Sequence, residues 1–417
     1  MDVADSAAVG PGPDRGWRGL WTGQRARMWL VAAALAAWLP LLGMPARRWL
    51  DFDSFYGAGL FAFTPRLVDL TSILQYQAAH GLPLTPFLYP PGFALLYVPF
   101  TWLPFDLAAA LHVLLQGVAL LGAAILGARV YGIPARWATL GVLAWSPAVA
   151  GVVSGQNSAV VLLLAIIAAG SLGTGRWRIA GLAIGAAVYR PQLGLPLGAL
   201  AAWRGALRAA GVALAVVAAQ YLLGVVATGG AWDWPARWVA TVGVETAEDF
   251  QAVGWQALSL PGLLGRISIG GSAEGSLLGP ALLGYAVGAA VILASLRPMR
   301  AWDAPRATAL LCALALFAGP RGWSYDGTLL LPAVAVLARE ASESGWPWQR
   351  RWLLAGAYGV ALAWPLGGFI GINPEALLVL LAPFALLGLG PFGAMGRPVL
   401  ATGEPDAAPL SASRAAR

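Results

Sequence analysis

The sequence predicts an all-α polytopic membrane protein. The chain has 417 residues, of which 59% are hydrophobic and only 11% are charged, and its mean hydropathy is +0.70. A typical soluble domain is nearer half apolar and a quarter charged. The apolar residues also gather in runs that approach the roughly 20 residues a helix needs to cross a bilayer core. These runs are residues 28–44, 107–127, 158–172, 206–228, 277–296, 352–372 and 376–389.

The runs follow one another closely, so a single membrane domain is expected at residues 28–392. Residues 1–27 are polar and carry arginines, which predicts a disordered cytoplasmic N-terminus followed by an uncleaved first helix. Residues 393–417 are rich in Pro, Ala and Ser and predict a disordered cytoplasmic tail. About ten full spans are expected in all.

Two segments are longer than ordinary connectors, residues 45–106 and 229–274, and long loops in compact folds are usually functional. The second holds four tryptophans, which suit either the aromatic belt of a membrane interface or stacking against sugars. These are Trp232, Trp234, Trp238 and Trp255.

The arginines set the orientation. When the N-terminus is placed in the cytoplasm, most arginine-bearing loops are cytoplasmic and both long loops are external. The opposite orientation would place nearly every arginine loop outside, so we expect a multi-pass cell-membrane protein with external loops 45–106 and 229–274. The formal net charge of +7 then reflects topology. Because the arginines form no continuous stripe, no nucleic-acid partner is expected.

Residues 179–202 are expected to turn back within the membrane. They lie between Arg178 and Arg204, which both belong to predicted cytoplasmic loops, and their centre reads Tyr189-Arg190-Pro191. Proline interrupts a helix, and the residue before it leaves the α region. The segment therefore predicts two half-helices in a re-entrant hairpin with Arg190 inside the membrane. Such a charge indicates either an anion-binding site or a structural arginine.

Polar residues that could act in catalysis or substrate binding follow the first helix and lie at the N-terminal ends of later helices. Asp51 and Asp53 lie just beyond helix one and share a face if the chain is extended but diverge if it is helical. They are either solvated loop acids or a general base with a sugar-binding partner. Tyr89 begins a Tyr-Pro-Pro segment that suits a rigid turn. Gln156 and Asn157 open an apolar helix, where they either cap it or bind an anion or hydroxyl.

Another polar group interrupts the apolar sequence near residue 320. Arg321 lies beside Tyr325 and Asp326, so it is expected either to hold a phosphate or to pair with Asp326. The two histidines, His80 and His112, are expected to be satisfied in a loop and packed on a helix, respectively.

Taken in order, these residues resemble the membrane glycosyltransferases of family eighty-seven. The resemblance runs from about Arg25 to Leu389. Each motif is weak alone, and their shared order on one topology makes the resemblance specific. The motifs are Asp-Phe-x-x-Phe-Tyr at 51–56, Tyr-Pro-Pro at 89–91, Gly-Gln-Asn at 155–157, Ala-Gly-Leu-x-x-Gly…Pro at 180–191, Ser-Leu-x-Gly-Leu-Leu-x-Arg at 259–266 and Tyr-Asp before Leu-Leu-Leu-Pro at 325–332.

The resemblance implies a GT-C type fold and transfer of a hexose, mannose by similarity, from a polyprenyl-phosphate donor to a glycolipid or glycan acceptor at the outer face. It implies that Asp51 is the general base and that Arg190 and Arg321 bind the donor phosphate. The residues implied to contact substrate are Asp53, Tyr56, Tyr89, Gln156, Asn157, Tyr325 and Asp326.

No metal or cofactor is expected, because a lipid-phosphate leaving group carries less charge than a nucleoside diphosphate. Asp51-Phe-Asp53 nevertheless has the Asp-x-Asp spacing of metal-dependent enzymes. The single cysteine, Cys312, lies in an apolar run and offers neither a disulfide nor a zinc site.

Two departures from the family pattern leave the sugar and acceptor open. Arg190 stands where the family often has lysine, and Gln256-Ala-Leu-Ser259 replaces an Asn-Gln pattern. Some relatives transfer arabinofuranose, so this sugar is an alternative to mannose.

The alternative functions are a transporter or flippase for a lipid-linked sugar, and a polysaccharide polymerase or ligase. Alternating-access transporters commonly contain internal repeats, and none is evident here.

Overall fold

The computed structural model describes residues 24–42, 51–269, 278–319 and 322–389, and all regular secondary structure in these ranges is helical. The α-helices are α1 Gln24–Leu42, α2 Phe52–Phe61, α3 Leu70–Ala79, α4 Phe105–Tyr131, α5 Ala135–Leu143, α6 Ser146–Val153, α7 Ser158–Gly173, α8 Trp177–Ala187, α9 Pro191–Trp203, α10 Leu207–Ala227, α11 Trp234–Val253, α12 Leu260–Ile269, α13 Leu278–Ala301, α14 Ala304–Phe317, α15 Leu331–Glu343, α16 Trp348–Leu362, α17 Gly367–Ile370 and α18 Glu375–Leu387. Segments of 3-10 helix are Pro65–Val68, Pro91–Trp102, Gly254–Gln256, Ser324–Leu330 and Trp364–Leu366.

The all-helical fold of a membrane protein is confirmed, whereas the predicted number of spans is not. Within the described ranges, three helices are long and apolar enough to cross a bilayer, namely α4, α10 and Pro280–Ala301 of α13. A fourth span is reached if Trp348–Leu362 and Trp364–Ile370, bent by 48°, count as one. Since α7, α8, α14 and α18 are apolar but shorter, the expectation of about ten spans stays a prediction.

The two predicted external loops are largely helical. The first contains α2 and α3 with two 3-10 segments, and the second contains α11, one 3-10 segment and the whole of α12. Trp234 Nε1 donates to the Tyr221 carbonyl at 3.1 Å, and Trp238 Nε1 donates to the Leu88 carbonyl at 3.3 Å. These two tryptophans therefore attach α11 to α10 and to the first loop, while Trp232 is 64% exposed.

Helix α14 forms the centre of the core. Every side chain from residue 307 to residue 317 is buried, and α14 packs against α7, α9, α13, α15 and α18. A helix that is apolar on all sides is buried either in a protein core or in a bilayer, and its packing places α14 in the core. The 3-10 segment Ser324–Leu330 follows α14. Its start lies beside the N-terminal end of α7 and the connection between α8 and α9.

Helices α8 and α9 form the antiparallel hairpin that the proline pattern predicts. A Cβ atom added at Gly198 of α9 would lie 3.7 Å from Cγ2 of Ile184 in α8, although these residues would be about 20 Å apart in one continuous helix. Pro191 is the first residue of α9, where its missing N–H costs no helical hydrogen bond. Arg190 therefore lies at the apex, with Arg178 and Arg204 at the far ends. Re-entry of this hairpin into a membrane stays a prediction.

Candidate active site

Asp51 lies where the end of α6 meets the start of α2. Its backbone N–H donates to the Ser154 carbonyl, and its Oδ2 accepts a hydrogen bond of 2.7 Å from Nε2 of Gln156. Gly155, between these two partners, has a φ of +75°, and a Cβ atom there would come within 3.0 Å of Cβ of Phe52. Glycine is therefore needed for this close approach. Asp51 as a residue is half-buried.

The side chain of Gln156 connects Asp51 to the hairpin apex. Its Oε1 accepts a hydrogen bond of 3.0 Å from the Tyr89 hydroxyl, and that hydroxyl accepts one of 3.1 Å from Nη2 of Arg190. The ring of Tyr89 lies 5.2 Å from that of Phe55 and 5.1 Å from that of Phe93. Gln156 therefore interacts with the base candidate instead of capping α7.

Arg190 organises the second half of the cluster and is only 6% exposed. Its Nη1 donates to Oδ1 of Asp326 in a buried ion pair. Oδ1 of Asn157 accepts from Nε at 3.2 Å and from Nη2 at 3.0 Å. The other oxygen of Asp326 accepts from the Trp323 N–H at 3.0 Å. A buried charge is stable only when it is paired in this way.

Among the described residues, the ion-pair partner of Asp326 is Arg190. Arg321 was expected either to hold a phosphate or to pair with Asp326. It lies outside the described residues, so both alternatives stay predictions.

Asp53 is separated from this cluster by the helical geometry of α2. It is 0% exposed, its Oδ1 accepts from the Ser54 N–H at 2.7 Å, and its Oδ2 has no hydrogen-bond partner among the described residues. The two carboxylates of the Asp-x-Asp spacing thus have different surroundings and do not form a chelating pair. Burial of Asp53 does not favour its predicted contact with substrate.

The pKa values of the two acids are raised to different extents. Burial raises the pKa of Asp51 to about 6, with a smaller contribution from Asp326 and an opposing one from the Gln156 hydrogen bond. Burial and repulsion from Asp51 raise the pKa of Asp53 to about 8. At neutral pH, Asp51 is therefore mostly ionised and Asp53 mostly protonated. Such divergence is typical of sites in which one carboxyl acts as a base.

Two further predicted substrate contacts lie at the edge of the cluster. The Tyr56 hydroxyl donates to the Leu103 carbonyl at 3.0 Å within a buried aromatic group, which is a structural contact. Tyr325 precedes Asp326 and lies near enough to Asp51 to interact with it electrostatically. Contact of either tyrosine with substrate stays a prediction.

The two histidines have the positions expected of them. His112 is buried on α4, with Nε2 2.8 Å from the Gly155 carbonyl and its ring 4.9 Å from that of Phe52. His80 is exposed at the end of α3, with Nδ1 2.8 Å from the Tyr76 carbonyl.

A polar group next to the Asp326 turn was not predicted from the sequence. Asn373 Nδ2 donates to Oγ of Ser324 at 2.6 Å, and Asn373 Oδ1 accepts from the backbone N–H of Glu375 at 3.0 Å. Glu375 is fully buried, and its carboxylate oxygens have no hydrogen-bond partner among the described residues. These residues come together only through folding, since α18 follows the turn by more than forty residues of sequence.

Among the described residues, no group of three or more His, Cys, Asp and Glu side chains is arranged to hold a metal ion. Catalysis without a metal stays a prediction.

Comparison with known proteins identifies the family of the chain. Residues 87–320 match the model of Glycosyltransferase family 87. The chain belongs to glycosyltransferase family 87. It is also 28% identical over 348 residues, covering 74% of the chain and 75% of the relative, to the polyprenol-phosphate-mannose-dependent alpha-(1-2)-phosphatidylinositol mannoside mannosyltransferase of Mycobacterium tuberculosis. The search of solved structures gave no significant match.

This family 87 protein is therefore a membrane glycosyltransferase. The matched region includes Tyr89, Gln156, Asn157 and Arg190, while Asp51 lies before its start and Asp326 shortly after its end. The fold nevertheless joins all six residues through hydrogen bonds and one ion pair.

Proposed function

We propose that this family 87 glycosyltransferase moves a mannose from a polyprenyl-phosphate-mannose donor to a hydroxyl of a glycolipid or glycan acceptor, with Asp51 as the general base. The observation that carries the proposal is Asp51, a half-buried residue whose carboxylate is held by Gln156 and is mostly ionised at neutral pH. Donor dependence is supported by the mycobacterial relative, which uses polyprenol-phosphate-mannose.

The chemistry needs one proton acceptor and stabilisation of one anion. The acceptor oxygen forms a bond to the anomeric carbon while the bond from that carbon to the phosphate oxygen breaks. The hydroxyl proton passes to Asp51, and the electron pair of the broken bond leaves with the polyprenyl phosphate. A positioned general base typically contributes roughly 10²–10⁴-fold to such a rate.

Arg190 is proposed to stabilise the leaving phosphate. Arginine has five N–H donors, and four of those on Arg190 are used by Asp326, Asn157 and Tyr89. A phosphate oxygen would take the remaining Nη1 hydrogen or replace Asp326 as the anionic partner. Arg321 is proposed as a second donor to the phosphate.

The active site is proposed to face the outside of the cell membrane. Arg190 lies at the apex of the α8–α9 hairpin, whereas Arg178 and Arg204 lie at its far ends. Arginine-bearing ends favour the cytoplasmic side, so the apex is directed away from the cytoplasm. There it would meet a donor whose lipid chain lies in the bilayer.

The proposal is tested with purified protein reconstituted in lipid, radiolabelled polyprenyl-phosphate-mannose and a membrane extract as the source of acceptor. A labelled glycolipid or glycan is expected with the wild-type protein and not with Asp51→Asn. Parallel assays with labelled polyprenyl-phosphate-arabinofuranose identify the sugar. Product from the arabinofuranose donor alone would disprove mannose as the substrate.

A further inference from the structure

The hydrogen bonds from Arg190 to Asp51 have a fixed direction. A guanidinium group only donates, so the Tyr89 hydroxyl accepts from Arg190 and directs its own proton to Gln156 Oε1. The amide oxygen of Gln156 is thereby occupied, and its NH₂ group must face Oδ2 of Asp51. The donor and acceptor roles of Tyr89 and Gln156 therefore follow from the permanent positive charge of Arg190.

The two intermediate side chains are held firmly. Gln156 is 6% exposed, and the Tyr89 ring is enclosed by the rings of Phe55, Phe93 and Tyr189. Among the described residues, Oδ1 of Asp51 accepts no hydrogen bond, whereas Oδ2 is engaged by Gln156. One oxygen of the base is thus anchored and the other is available.

We propose that Tyr89 and Gln156 are positioning residues that transmit the orientation of Arg190 to Asp51, so that Oδ1 is the oxygen that takes the acceptor proton. This rests on the proposed role of Asp51 as the base. It replaces the expectation that Tyr89 and Gln156 contact substrate directly. A hydrogen bond to a charged acceptor favours the ionised form, so the same contact keeps Asp51 able to accept a proton.

The activity of a base falls as the pH drops through its pKa, which gives a direct measurement. Loss of the Gln156 hydrogen bond removes the contribution that lowers the pKa of Asp51, so the acidic limb of the pH–rate profile moves to higher pH. The other titratable or charged groups around Asp51 are Asp53 on α2, Tyr89 and Arg190 through the hydrogen bonds, Asp326 and Tyr325 on the 3-10 segment and His112 on α4. None of them is changed in Gln156→Leu.

The test compares Gln156→Leu and Tyr89→Phe with a matched control, Tyr97→Phe. Tyr97 is a buried member of the same aromatic group, stacked on Phe55 at 4.7 Å, and its hydroxyl makes no described hydrogen bond. In Gln156→Leu, kcat is expected to fall about 10- to 100-fold, the acidic limb to rise by about one pH unit, and the dissociation constant of the donor to stay within about twofold. Tyr89→Phe is expected to shift both quantities in the same direction by less, and Tyr97→Phe to leave them unchanged.

Each other outcome overturns the inference. An unmoved acidic limb in Gln156→Leu shows that Gln156 does not act on Asp51, and weaker donor binding that accounts for the whole loss shows a substrate contact. If Gln156→Leu fails to fold, Tyr89→Phe, which removes a single oxygen atom, decides in the same way. Normal turnover of Asp51→Asn disproves the proposed base itself, whereas an inactive Asp51→Asn with a wild-type profile for Gln156→Leu disproves only the positioning role.

Discussion

Replacing the two acids of α2 separately tests which carboxyl is the base. Asp51→Asn preserves size, and an amide oxygen can still accept the 2.7 Å hydrogen bond from Gln156. The variant loses only the ability to take a proton, so turnover should fall roughly 10²–10⁴-fold, or about 3–5 kcal/mol of barrier. Donor binding should survive.

Asp53→Asn is the matched control. Its carboxyl is fully buried and mostly protonated at neutral pH, with the pKa raised to about 8. A neutral amide of the same shape can keep the contact with the Ser54 N–H, so turnover should change by no more than about threefold, equivalent to about one hydrogen bond of modest strength.

Initial rates with labelled donor, donor binding and thermal unfolding are measured for both variants in the same lipid. If Asp53→Asn is inactive and Asp51→Asn is active, the wrong carboxyl has been chosen. If both variants turn over normally, the base lies elsewhere, and Asp326 and His80 become the next candidates to replace.

Three further predictions follow from the cluster and the topology. Arg190→Ala should raise KM for the donor and lower kcat by roughly 10²–10³-fold, while Arg190→Lys keeps part of the activity. If folded Arg190→Ala has unchanged kcat and KM, the role of Arg190 is structural. Cysteines at Asp69 and Ala247 should react with an impermeant thiol reagent in intact cells, whereas one at Gly175 should not, and the reverse pattern would invert the orientation. Because the pKa of Asp53 is raised in the folded state, the stability of the wild-type protein should fall as the pH rises from about 4 to 8. The thermal midpoint of Asp53→Asn should fall less over this range, and an equal fall would contradict the raised pKa of Asp53.

Local sequence signals predicted the parts of the site that local geometry controls. Pro191 predicted the break that places Arg190 at a hairpin apex, because a proline disfavours the α conformation of the residue before it and interrupts the helical hydrogen bonds. The resemblance implied Asp51 as the general base, and the structure places Asp51 in the polar cluster.

Contacts between residues far apart in the sequence could not be predicted from local sequence patterns. Arg321 is the nearer cation in sequence, and no local pattern indicates that Asp326 pairs with Arg190, 136 residues away. The packing of α14 against α7 and α9 helps to bring these two residues together. The span number is also not fixed by sequence pattern, since several apolar helices are shorter than a bilayer core requires.

The ion pair between Arg190 and Asp326 also sets the order of events during biosynthesis. Ribosomes add about 5–20 residues per second, so the 136 residues between the two partners take roughly ten seconds to emerge. Throughout that interval Arg190 lacks its Asp326 partner, and inserting an isolated arginine at mid-bilayer depth costs about 2.5–3.5 kcal/mol. If the hairpin re-enters the membrane as predicted, it is therefore expected to stay at the membrane surface or beside the translocon until the segment after α14 arrives. The polar cluster is completed only when residue 326 of the 417-residue chain has been made.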